Sequence, residues 1–168
     1  EGQCVPRCDG EERCAVWLVN GPVVSMYAGG STLYFTTPPE TDPLGNPEST
    51  GTLWRVESSE STPVRVSKGV GTYGSIIGRT ASATYVMDYN GSGHTLYEVS
   101  DAGAVRTLAD TEEWVYDAVV QPNAVFYVTD AGLWRVRYEP GAAAELLIVR
   151  GEYSGSQSVA AGNRVWYA

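Results

Sequence analysis

The chain is short of the residues that most site chemistry needs. Its one histidine, His94, means that a zinc hydrolase would have to rely on carboxylates alone. One lysine stands against ten arginines, and twenty acidic residues bring the formal net charge to −9. Phosphate backbones are held by clustered Lys and Arg, so nucleic acid is excluded as an expected partner, and an anionic membrane surface with it. No apolar run nears the roughly 20 residues of a bilayer span, which excludes a membrane-inserted helix. There is no Gly-x-Ser-x-Gly elbow, no Gly-Lys-Ser phosphate loop and no dinucleotide fingerprint. The neighbouring carboxylates Glu112 and Glu113 would face opposite ways in a strand. These absences weigh against an enzyme, and no cofactor is implied.

Cysteine is also scarce, and confined. Cys4, Cys8 and Cys14 fall in a polar, turn-rich stretch at the start of the chain. Such a segment has no core and holds its shape through disulfides or metal. Disulfides are the expectation, which places the protein in an oxidising compartment, secreted or at a cell surface. Zinc and free thiols are the alternatives, and zinc is disfavoured because no histidine is near. Three is an odd number, so a partner upstream of Glu1 would fit an excised segment. The start at Glu1 without a signal-peptide pattern suggests a mature product or such a segment.

What is abundant is the material of strands and turns: eleven Tyr, five Trp and nineteen Gly, with short Val/Tyr/Trp/Thr runs between Gly, Pro, Ser and Asn. A motif recurs in the runs Leu33 to Thr37, Thr84 to Asp88 and Phe126 to Asp130, and again at Trp166-Tyr167-Ala168. Aligned on Tyr34, Tyr85, Tyr127 and Tyr167, the copies are 51, 42 and 40 residues apart, the first spacing stretched by a Pro/Gly-rich insertion over 38–50. Eight residues before each tyrosine stands Met26, Ile77, Val119 or Val159, marking a preceding strand. A third strand reads Leu-aromatic-charged-Val at 53–56, 96–99 and 133–136, and a weaker fourth follows at 64–66, 105–108 and 146–149. Four strands at a spacing of roughly forty residues predict β-propeller blades. One such sheet has two apolar faces, which stacking between neighbouring blades buries. The expected fold is all-β, with four-stranded antiparallel blades near 23–67, 73–108 and 115–149 and a partial fourth over 156–168. The segment 15–19 resembles an outer strand, and 1–14 forms a separate Cys-rich segment.

The run Phe126 to Asp130 followed by Gly132 to Val136 resembles the repeats of YWTD-type and NHL-type propellers, and those of large, Cys-rich bacterial surface proteins. The resemblance covers residues 23–168. It implies a structural role between blades for the motif's aspartate, matched here by Asp88 and Asp130 and replaced by Thr37 in the first copy. The motif's tryptophan is Val or Phe here. Proteins of these families mostly bind proteins, peptides or glycans, and some relatives are metal-dependent hydrolases or lyases.

In a propeller the loops from fourth to first strands, and from second to third strands, share one rim. On that rim lie Tyr73, Trp114, Tyr116 and Tyr153 among acidic neighbours, which are the candidate ligand anchors. The competing role for these rings is packing between blades. The opposite rim has only Ser/Gly/Ala turns. Asp88, Asn90 and Ser92 alternate like the first half of a calcium loop, but its twelfth position is Val99, and an Asn-Gly hairpin turn accounts for the same residues. Metal is therefore not expected. The inner strands at 25–27, 75–77, 118–120 and 158–160 carry no acids. The expected function is an extracellular binding or adhesion scaffold for a protein, peptide or glycan, with exposed blade faces that favour oligomers. The alternatives are a segment of a lactonase-like or lyase-like propeller enzyme with a divalent metal, and a structural spacer of a large surface protein.

Overall fold

The computed structural model describes residues 22–39, 50–57 and 62–149, and the backbone of 158–161 and 164–167. Cys4, Cys8, Cys14, Tyr153, the segment 15–19 and most of the 38–50 insertion lie outside the described residues. The described elements are all strands: β1 (Ser25–Gly29), β2 (Thr32–Thr37), β3 (Thr52–Glu57), β4 (Val64–Lys68), β5 (Ser75–Arg79), β6 (Ala83–Tyr89), β7 (His94–Ser100), β8 (Val105–Thr111), β9 (Asp117–Gln121), β10 (Ala124–Val128), β11 (Gly132–Arg137), β12 (Glu145–Val149), β13 (Ser158–Ala161) and β14 (Arg164–Tyr167). They form three four-stranded antiparallel sheets in sequential order, β1 to β4, β5 to β8 and β9 to β12, with β13–β14 as the start of a fourth. The first strands lie side by side, β1 against β5, β5 against β9 and β9 against β13. This is the β-propeller arrangement, with first strands innermost.

Blade stacking explains the burial pattern. In β6 six consecutive residues, Ala83 to Asp88, are buried, because a sheet covered on both faces has no water side. Tyr85, Met87 and Leu96 pack on the third blade with Val125, Tyr127 and Val136. Val86 and Val99 point the other way and join Leu53 and Val70 of the first blade and its connecting loop. The third-strand motif thus divides its labour. Its leucine (Leu53, Leu96) covers the following blade, and its valine (Val99, Val136) covers the preceding one.

The strand register corrects the repeat alignment. Tyr34 pairs with Arg55 and Tyr85 with Glu98, but it is Phe126 that pairs with Arg135. Phe126 is therefore the counterpart of Tyr34 and Tyr85, while Tyr127 corresponds to Phe35. Matching ring stacks agree: Phe35 on Trp54 at 6.4 Å and Tyr127 on Trp134 at 6.2 Å. So do matching hydrogen bonds, in which Trp54 donates to Thr37 and Trp134 to Thr129. The position of Asp88 is filled by Thr37 and Thr129 in the other blades, so Asp130 is not its equivalent.

Two glycines permit close approach. Gly71 has φ +82°, and a Cβ there would lie 2.0 Å from Asp88 Cγ. In β5 a bulge between Ile76 and Gly78 brings Gly78 against the third blade, where a Cβ would meet Val120 Cγ2 at 2.8 Å.

Candidate functional site

Three connections of the second and third blades meet on one rim: β4 to β5, β6 to β7 and β8 to β9. Asp88, buried at the end of β6, accepts the N–H groups of Thr72 (3.0 Å) and Tyr73 (2.7 Å). With its backbone held from below, Tyr73 projects its ring outward and is 63% exposed. In the β6–β7 turn Asn90 Oδ1 accepts from Ser92 N–H (3.1 Å) and Gly93 N–H (2.9 Å), an Asx turn of the kind asparagine favours. That turn sets Tyr89 opposite His94, their rings 5.5 Å apart. Asp88, Asn90 and Ser92, the calcium candidates, are thus engaged with separate partners. Asp88 serves the β4–β5 loop, and Asn90 and Ser92 bond each other within the turn.

His94 is mostly buried and ties two loops together. Its Nδ1 accepts the N–H of Val115 at 3.2 Å. The Trp114 ring stands over this junction, 4.9 Å from His94 edge-on and 5.3 Å from Tyr89. Tyr116 donates from its hydroxyl to Asp130 Oδ1 at 2.7 Å. Trp114, Tyr89 and Tyr116 remain 52%, 45% and 41% exposed. Between these loops a cleft of about 470 Å³ is lined by Tyr73, Ser75, Tyr89, His94, Tyr116 and Asp117, with Ile76 and Met87 among its apolar contacts. Of the four anchors expected from sequence, Tyr73 and Tyr116 line one cleft and Trp114 stands on its lip.

Sequence reasoning missed Tyr89 and His94 as parts of this cleft, because their approach to Trp114 depends on a 21-residue separation closed by the His94–Val115 bond. It also missed Asp117. The inner strand β9 begins at Asp117, one residue before the stretch read as its start, so the inner strands do carry an acid. Its Oδ1 accepts the N–H of Ala118 at 2.8 Å.

The opposite rim is not the plain surface its turns suggested. A cleft of about 670 Å³ there is lined by Arg79, Tyr85, Glu98, Arg106, Gln121 and Tyr138, among others. Arg106 donates to Glu98 (2.9 Å) and to the carbonyl of Tyr138 (2.7 Å). Arg79 pairs with Asp101 and lies over the ring of Tyr34, 4.5 Å from its centre. Tyr138 stacks on Tyr85 at 4.8 Å and donates to the carbonyls of Gln121 (2.5 Å) and Ala124 (2.9 Å). Burial pushes the Tyr138 hydroxyl well above the usual tyrosine range and raises that of Tyr85. Burial, with the Glu113 charge adding to it, pushes Tyr127 up to about 12.

No protein-family model matches the chain, and no curated protein matches it. Among solved structures it is similar to a gluconolactonase from Xanthomonas campestris, described as important in glucose secondary metabolic pathways. The identity is 14% and the TM-score 0.56, over 93% of this chain and 58% of that one. The chain thus spans less than two thirds of that protein, and at this identity the likeness shows the fold alone.

Proposed function

We propose that this chain is the ligand-binding part of an extracellular β-propeller, and that it takes a protein, peptide or glycan on the rim formed by Tyr73, Tyr89, Trp114 and Tyr116. The observation that carries this is the gathering of four exposed rings around one cleft. Single exposed aromatics are ordinary, whereas a contiguous set on loops held by rigid sheets marks a recognition surface. Tyr and Trp contribute wide contact area at low entropic cost, which is why they dominate binding hot spots. Secretion, and disulfides among Cys4, Cys8 and Cys14, are part of the same proposal. Self-association through apolar side chains is a further part, supported by exposed Leu146, Leu147, Ile148 and Val149 on β12.

The test is a panel of immobilised glycans and peptides probed with the chain and with its Tyr73→Ala/Trp114→Ala double variant. Capture that the double variant loses while keeping its thermal midpoint supports the proposal. Capture that the variant retains refutes it.

A second function, hydrolysis of a sugar lactone, draws on the likeness to the gluconolactonase and on Asp117 in the cleft. Among the described residues no three His, Cys, Asp or Glu side chains gather into a set that could hold a metal ion. Release of acid from glucono-1,5-lactone above the spontaneous rate, abolished by Asp117→Asn, would favour this function over binding alone.

A further inference from the structure

We infer that the aromatic rim takes a proline-rich peptide in the extended polyproline form, with basic residues flanking the prolines. The inference rests on the proposal that this rim is a ligand site, and chooses the class of ligand. The rings are tilted against one another: Tyr89 and Trp114 meet at 54°, and His94 and Trp114 at 81°. Rings set this way form ridges with a notch between them, not the flat platform on which a sugar face stacks. A prolyl ring is a compact apolar wedge that fits such a notch, and aromatic-lined grooves are recurrent receptors of proline-rich segments. The pairing of Tyr89 with His94 across the turn, and the bond from Val115 N–H to His94, set the rings before a ligand arrives.

The hydrogen-bonding groups of the rim point the same way. Tyr89 spends its hydroxyl proton on the Gly91 carbonyl (2.8 Å) and Tyr116 on Asp130. Nε1 of Trp114 and the Tyr73 hydroxyl have no hydrogen-bond partner among the described residues. Nor does Nε2 of His94, which carries the proton of the neutral imidazole because Nδ1 accepts the Val115 N–H. All three groups donate, and the indole N–H does nothing else. Proline has no N–H, so a run of prolines presents acceptor carbonyls alone. The polyproline helix also has no internal hydrogen bonds to break on docking. Charge favours basic flanks. The rim loops over 70–74, 90–93 and 112–116 hold no lysine or arginine and carry Glu112 and Glu113, with Glu112 exposed. A cationic peptide is steered toward such a surface.

The experiment titrates the whole chain into fluorescein-labelled nonaproline with an arginine at each end, read by anisotropy and repeated by calorimetry. The controls are the same peptide with alanines for prolines and the same prolines flanked by glutamates. The arginine-flanked nonaproline should bind about tenfold more tightly than either control. Trp114→Phe, which keeps a ring but loses the N–H, should weaken it about fivefold, the worth of one hydrogen bond, with the thermal midpoint unchanged. Trp114→Ala should weaken it further. Binding of the alanine peptide as tight as that of the nonaproline would overturn the inference, as would an affinity untouched by Trp114→Phe. If panel glycans bind the rim, are lost in the Tyr73→Ala/Trp114→Ala variant, and the nonaproline fails, the ligand class is wrong and the rim proposal stands. If nothing binds, both fail.

Discussion

The seam between the second and third blades ends in two clefts of similar size, about 470 Å³ on the aromatic rim and about 670 Å³ on the other. They differ in what their side chains are doing. On the larger cleft's side nearly every polar group is occupied by another part of the protein: Arg106 by Glu98 and a carbonyl, Arg79 by Asp101 and the Tyr34 ring, Tyr138 by two carbonyls. Arg79 Nε is the exception, buried without a partner. On the smaller side the rings of Tyr73, Tyr89 and Trp114 are about half in water, and Nε2 of the one histidine has no hydrogen-bond partner among the described residues. Volume alone would favour the larger cleft. Unspent bonding capacity favours the smaller one, and the larger then reads as the structural clamp of the seam.

Breaking the clamp should have the largest effect. Tyr85→Ala removes a fully buried ring and the partner of Tyr138, and should cost about 3–5 kcal/mol in urea unfolding. A loss under about 1 kcal/mol would mean that this side is not holding the blades together. Next, Asp88→Ala leaves the N–H groups of Thr72 and Tyr73 without their acceptor, an expected loss of ~1–3 kcal/mol. Since Asp88 also positions Tyr73, ligand capture should fall with it, whereas an unfolding shift with capture intact would separate the loop from the site. Alkali acts on the buried tyrosines. Tyr127 holds its proton to about 12 in the folded chain, against the ordinary value of 10.0 in the unfolded one. The unfolded state therefore binds fewer protons between those values, and stability should be constant below pH 10.0 and decline as pH rises toward about 12. Urea midpoints across pH 8 to ~11 check this, and a flat profile would contradict the burial. The smallest effect on stability should come from Tyr73→Ala, within about 0.5 kcal/mol, because the ring is mostly in water. Its effect should appear in binding instead.

Much of this was legible before the structure. Strands at 53–56, 96–99 and 133–136 could be read because Leu and Val three apart point to opposite faces, and both must be buried in a stacked blade. The same double burial hid the register of the third copy. With Phe126 and Tyr127 adjacent and both faces covered, no alternation of apolar and polar residues says which ring takes which side. A single-residue slip then paired Asp130 with Asp88, although Thr129 holds that place. The rim of Tyr73, Trp114 and Tyr116 followed from strand counting alone. His94 did not, since its role is set by a bond to Val115 that closes only in three dimensions, and Asp117 was lost to a strand boundary misplaced by one residue.

The most direct measurement is a titration of the ¹⁵N-labelled chain with the glycans and peptides of the panel, followed by amide shifts. The expected result is movement at residues 72–75, 89–94 and 114–117, with 79–82, 121 and 138 unchanged. Shifts confined to the Arg79, Arg106 and Tyr138 side would contradict it and move the ligand to the clamp.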